Sequence, residues 1–168
     1  EGLVVAVTGG DINTTASGSG DAGTVTITAD SVTVFGGSIA SSSITTGDGG
    51  SVGIGADRIT VSNGGEISAS TRDGQGGQVN LNTDLLEVEG GGLVRAETSG
   101  AGAGGQVNVF DDGEADNQGL MVTLVDVGEI TAGTSGNGNG GQVTITAEAV
   151  TLTGSSAIAS ISEATGNG

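Results

Sequence analysis

The 168-residue chain contains no cysteine, proline, histidine, lysine, tryptophan or tyrosine, and its only aromatic residues are Phe35 and Phe110. Each absence excludes something. Without histidine or cysteine there is no Ser-His-Asp or Cys-His nucleophile system, and no zinc site built from the usual nitrogen and sulfur ligands. Three arginines, Arg58, Arg72 and Arg95, stand against twenty acidic residues, for a net charge of −17. So few cations cannot neutralise a phosphate backbone, and nucleic acid is not expected as a partner. No apolar run approaches the roughly 18 residues that a spanning helix needs, so membrane insertion is not expected either. With no disulfide, the redox compartment stays unspecified. The chain starts at Glu1 without a signal-peptide pattern, which reads as a processed chain or a piece of a longer one.

What the chain has in abundance is glycine, 36 residues, together with serine and threonine. High charge on such a background suggests disorder. The lack of proline and a hydrophobic content of 34%, nearly all Val, Ile, Leu and Ala, argue for strands instead.

A repeat organises those residues. The phrases Gly23-Thr24-Val25-Thr26-Ile27, Gly50-Ser51-Val52-Gly53-Ile54, Gly77-Gln78-Val79-Asn80-Leu81, Gly105-Gln106-Val107-Asn108-Val109 and Gly141-Gln142-Val143-Thr144-Ile145 are copies of one strand, their valines 27, 27, 28 and 36 residues apart. A second strand follows, ending at Val34, Val61, Val88, Leu124 and Leu152, with Val7 in the same place of a partial first unit. A third, shorter run follows at Ile12, Ile39, Ile67, Val94, Ile130 and Ile158.

Three strands per unit with period-2 alternation predict an all-β solenoid, one domain over 1–168, with a partial coil at 1–23 and coils starting near 24, 51, 78, 106 and 142. Stacking puts like on like. One inner column is Val25, Val52, Val79, Val107, Val143; a second is Ile27, Ile54, Leu81, Val109, Ile145; a third is Val5, Val32, Ile59, Leu86, Val122, Val150. A narrower column of Ser41, Ala69, Ala96, Ala132 and Ser160 marks a tight corner. Six coils rising about 4.8 Å each give a rod of roughly 29 Å. The pairs Gly49-Gly50, Gly76-Gly77, Gly104-Gly105 and Gly140-Gly141 are expected at sharp turns with positive φ. The period extrapolates past both ends, where open strand edges would favour stacking on further coils or on a second copy.

The run GDGGSVGIGADRITVSNGGEISASTRDGQGGQVNL, Gly47 to Leu81, and its echoes along all six units resemble the repeats of filamentous-haemagglutinin-like exoproteins, nearest those of filamentous cyanobacteria. The family's three strand phrases correspond here to Gly77 to Leu81, Asp57 to Val61 and Gly64 to Thr71. The resemblance implies a right-handed parallel β-helix exported by two-partner secretion and located at the cell surface or outside the cell. It also implies an adhesive or structural shaft with no catalytic site, associating with itself or with other cell-surface components. The secretion domain of such proteins is not part of this sequence.

Two groups of residues are candidate sites. Asp30, Asp57, Asp84 and Glu148 share one register two residues before the second strand, and the three aspartates would lie about 5 Å apart on adjacent coils. A calcium ion, the one cofactor to consider, could bridge them; alternatively each closes an Asx-type turn in solvent. The second group is the insert 110–119, which breaks the fifth coil and carries Asp111, Asp112, Glu114 and Asp116. Its spacing is not that of an EF-hand. It either binds calcium or a ligand as a loop on a rigid scaffold, or decorates the surface. The outward row Thr24/Thr26, Ser51/Gly53, Gln78/Asn80, Gln106/Asn108, Gln142/Thr144 suggests Gln and Asn ladders that support the sheet.

The reading is a non-catalytic shaft, filament or surface-layer segment. The alternative is an adhesin that binds carbohydrate or a receptor through the insert. A third reading, a polysaccharide-active β-helix enzyme, has against it the lack of Lys, Trp and Tyr and the scattering of the arginines over different registers.

Overall fold

The computed structural model describes residues 2–113 and 119–163. The partial first coil contributes β1 (Val4–Thr8) and β2 (Asp11–Ala16), and the second β3 (Thr24–Thr28), β4 (Ser31–Phe35) and β5 (Ser38–Ser43). The third holds β6 (Ser51–Gly55), β7 (Arg58–Ser62) and β8 (Glu66–Thr71), and the fourth β9 (Gln78–Asn82), β10 (Leu85–Glu89) and β11 (Leu93–Thr98). The fifth holds β12 (Gln106–Phe110), β13 (Met121–Val125) and β14 (Glu129–Thr134), and the sixth β15 (Gln142–Thr146), β16 (Ala149–Leu152) and β17 (Ala157–Ser162). Like strands pair in parallel from coil to coil, making sheet A (β1-β4-β7-β10-β13-β16), sheet B (β2-β5-β8-β11-β14-β17) and sheet C (β3-β6-β9-β12-β15). The chain is a parallel β-solenoid. Among the described residues no helix is long and apolar enough to cross a membrane.

The repeat dictates the register. Val25 pairs Val52, Val52 pairs Val79, Val79 pairs Val107 and Val107 pairs Val143. Val32, Ile59, Leu86, Val122 and Val150 align likewise on sheet A. These columns are the core: Val52, Ile59, Val79, Leu81, Leu86, Val94 and Ile130 are fully buried. Each such aliphatic side chain contributes about 1.5–3 kcal/mol by leaving water, and the alternating outward residues keep the strands half in solvent.

Two expectations are corrected. The third strands are not the shorter ones; they run six residues against five or fewer elsewhere. Their sixth positions, Ser43, Thr71, Thr98 and Thr134, are polar and buried, so apolar periodicity misses them. The threonines close the corner by donating to backbone carbonyls of the equivalent turn one coil earlier: Thr71 Oγ1 to Gly47 O at 2.6 Å, Thr134 Oγ1 to Gly100 O at 3.3 Å.

The second correction concerns glycine. None of the pairs 49-50, 76-77, 104-105 and 140-141 has positive φ. They serve close approach instead: a Cβ on Gly50, Gly77, Gly105 or Gly141 would overlap the carbonyl oxygen of Gly23, Gly50, Gly77 or Gly105 one coil earlier. Positive φ falls at the opposite corner, between sheets A and B, at Asn63-Gly64 (52° and 71°), Gly90-Gly91 (54° and 75°), Asp126-Val127 (50° and 67°) and Gly154-Ser155 (63° and 64°). Two consecutive left-handed residues make a type I′ turn, closed by Gly65 N to Ser62 O and Gly92 N to Glu89 O, both 2.9 Å.

Candidate functional site

The corner from sheet C to sheet A carries both candidate groups. Strand pairing puts Asp30 opposite Asp57, Asp57 opposite Asp84, Asp84 opposite Leu120 and Leu120 opposite Glu148, one position ahead of β4, β7, β10, β13 and β16. The acidic column therefore exists and is interrupted by Leu120, which is 1% exposed. A leucine there removes one like charge from the row and packs into the core.

The insert leaves the solenoid at the same corner. Phe110 pairs with Asn82 and Met121 with Leu85, so ten residues, 111–120, replace the two of the fourth coil, Thr83 and Asp84. Phe110 is the last residue of β12 rather than part of the loop, and Gly119 and Leu120 take the places of Thr83 and Asp84; the register confines the extra residues to 111–118. Asp111 turns the chain by accepting a hydrogen bond from Gly113 N at 2.9 Å.

The structure distributes the seven calcium candidates unevenly. Asp84, Asp111 and Asp112, all half-buried, converge: one carboxylate oxygen of each lies within 4.8 Å of the other two. The two sequence groups thus meet, one member from the column and two from the insert. Asp30 and Asp57 are exposed and, among the described residues, stand outside any such group. Asp30 accepts a hydrogen bond from Leu3 N of the preceding coil, a bond between coils rather than the local Asx-type turn. Glu114 and Asp116 lie outside the described residues.

Three converging carboxylates repel one another and offer hard oxygen ligands. That chemistry suits calcium, which takes six to eight oxygens at about 2.3–2.6 Å; the three side chains would supply part of the shell, with water and carbonyl oxygens as the remainder. The same corner exposes Phe110 and Met121 at the base of the insert.

Two of the arginines form separate ion pairs on sheets A and B that sequence spacing could have revealed. Arg58 pairs with Glu87, and Arg95 grips Glu66 with Nε at 3.1 Å and Nη2 at 2.8 Å, with Glu97 at 3.8 Å. Both pairs are 29 residues apart, one 27-residue coil plus two, the diagonal neighbour on a ladder. Burial disfavours the Arg95 charge, but the hydrogen bond to Glu66 and the charges of Glu66, Glu97 and Glu129 outweigh it and raise the pKa. Arg95, Glu97 and Gly133 line a shallow polar groove on sheet B, where Arg95 is already engaged by Glu66.

No protein-family model, no curated protein and no solved structure matches this chain. The class that the structure defines is the parallel β-solenoid, about six turns of about 28 residues.

Proposed function

We propose that this chain is a non-catalytic shaft segment of a large secreted exoprotein, displayed at or released from a cell surface. The observation that carries this reading is the unbroken ladder. Every coil hydrogen-bonds to the next through all three sheets from the second coil to the sixth, and the aliphatic columns form one core from the second coil to the fifth. Bending such a stack would open backbone hydrogen bonds on one side and part packed side chains on the same side. It is therefore built as a stiff spacer, and its −17 charge keeps it soluble. Immunogold labelling of sectioned source cells and of their medium, with antibodies raised against this chain, tests the reading. Label on surface filaments or on shed material is expected; label confined to the cytoplasm would overturn it.

A second reading is favoured by one observation, the convergence of Asp84 with Asp111 and Asp112 at the base of the insert. In it the insert is an adhesive loop pinned by calcium. Calcium titration by calorimetry should then show binding that Asp111→Asn weakens, and beads coated with a chain lacking residues 111–118 should lose adhesion. Adhesion unchanged by that deletion eliminates this reading and leaves the shaft intact.

A further inference from the structure

The charges of this molecule avoid one of its three faces. The outward residues of sheet A include Arg58, Glu87 and Glu89, and those of sheet B include Asp11, Glu66, Arg95, Glu97 and Glu129. The outward residues of sheet C are Thr24, Thr26 and Thr28, Ser51, Gly53 and Gly55, then the amides of β9 and β12 with Phe110, and Gln142, Thr144 and Thr146. None is charged, in a chain with twenty acids. The carboxylates reappear at its borders: Asp30 and Asp57 at one corner, Asp21 and Asp48 at the other.

The face is also pre-organised. Asn108 Nδ2 donates to Asn80 Oδ1 at 2.9 Å, Asn80 Nδ2 to Gln78 Oε1 at 3.0 Å and Gln78 Nε2 to Gln106 Oε1 at 3.2 Å. This head-to-tail chain of amides fixes their orientation at little further entropic cost, and each amide keeps an unused N–H or lone pair for a partner. Thr24 and Ser51 hydroxyls are bonded to each other at 3.0 Å.

We propose that sheet C is the face by which two copies of this chain pair side by side, which rests on the shaft reading and names its lateral contact. A second copy is the occupant that the charge map selects. On sheets A and B it would set faces with more carboxylates than arginines against themselves, whereas on sheet C an isologous contact about a two-fold axis sets amide and hydroxyl rows against themselves. Five strands of five residues present a face of about 24 by 16 Å, roughly 400 Å² per partner. That is half of the about 800 Å² of a standard stable interface, so pairing of this length of solenoid is weak and grows with added coils. Because the rims are acidic, salt should strengthen it by screening, the opposite of an interface held by ion pairs.

Sedimentation equilibrium from micromolar to millimolar chain, at low and high salt, tests the proposal on three proteins: the parent, a Thr26→Asp/Asn80→Asp variant on sheet C, and a Thr33→Asp/Thr123→Asp control on sheet A, each checked for β-structure by circular dichroism. A reversible dimer is expected for the parent, tighter at high salt, unchanged in the control and at least about tenfold weaker in the sheet C variant. Should Asn80→Asp unfold the chain, Thr26→Asp alone carries the test, since Thr26 is exposed. A parent that stays monomeric at every concentration, association weakened by salt, or a control that weakens equally would overturn the proposal. So would retention of a strictly monomeric parent on a neutral polysaccharide, which would give the face to a sugar. The surface-labelling result does not depend on any of these outcomes, so the shaft reading and the pairing surface can fail separately.

Discussion

The fourth and fifth coils carry the same ladder and differ at two of their corners. Between sheets C and A the fourth coil uses Thr83 and Asp84 where the fifth uses residues 111–120. Between sheets A and B the fourth coil turns on Gly90-Gly91, whereas the fifth turns on Asp126-Val127 at nearly the same φ. A β-branched residue at φ 67° is a backbone outlier that costs about 1–2 kcal/mol. Yet β13 and β14 keep full register with the coils on both sides. The stacked columns therefore impose the conformation of the corner. Local propensity is overruled wherever the neighbouring coils hold a strand on each side of the turn.

Breaking the columns should have the largest effect. Leu81→Ala removes a fully buried side chain from the second inner column and should lower unfolding free energy by about 2–5 kcal/mol, read by chemical denaturation. Gly77→Ala tests the corner that both coils share. Its Cβ would overlap Gly50 O, with Gly49 O and Gly49 C at 2.7 Å, and overpacking of this kind should cost about 1–3 kcal/mol. An unaffected protein would mean that the glycine corner relaxes freely.

Val127→Gly sharpens the comparison from the other side. Removing the Cβ relieves the left-handed penalty and surrenders part of that gain as unfolded-state entropy, for a net stabilisation of about 1 kcal/mol and a melting temperature about 2–4 °C higher. The same gain is not expected from Gly91→Val, which should destabilise the fourth coil by a similar amount. On the outer face of sheet B, a double-mutant cycle of Arg95→Met with Glu66→Gln should return a coupling of about 0.5–1 kcal/mol, as for a bidentate pair still open to solvent. On the alkaline side the raised Arg95 pKa keeps the guanidinium charged, so the arginine's share of this coupling should be lost only on strongly alkaline titration.

The strands, their register and the location of the insert were legible because the apolar columns repeat at the coil period. Residues that contribute without being apolar were not. Thr71, Thr98 and Thr134 line the core through hydroxyl-to-carbonyl bonds, which no hydropathy pattern displays. The glycine pairs looked like turn residues, but their role is room for a neighbouring carbonyl, a property of stacked coils rather than of local chain direction. At the candidate site the acidic column was visible from its spacing. Leu120 in the middle of it was hidden by the insert, which shifts it eight places from where the period would look. The meeting of Asp84 with Asp111 and Asp112 joins a coil to a loop, and only the folded chain brings them together.

Removal of residues 111–118 tests most directly the claim that the stacked columns, and not the insert, hold this molecule together. Phe110 would then run through Gly119 and Leu120 into Met121 in the same register as Asn82, Thr83, Asp84 and Leu85 one coil earlier. Thermal unfolding followed by far-ultraviolet circular dichroism should show an unchanged β-spectrum and a single transition within about 2–4 °C of the parent, the shift expected for at most about 1 kcal/mol. A broad, non-cooperative transition, or loss of the β-spectrum, would contradict the account and make the insert part of the fold.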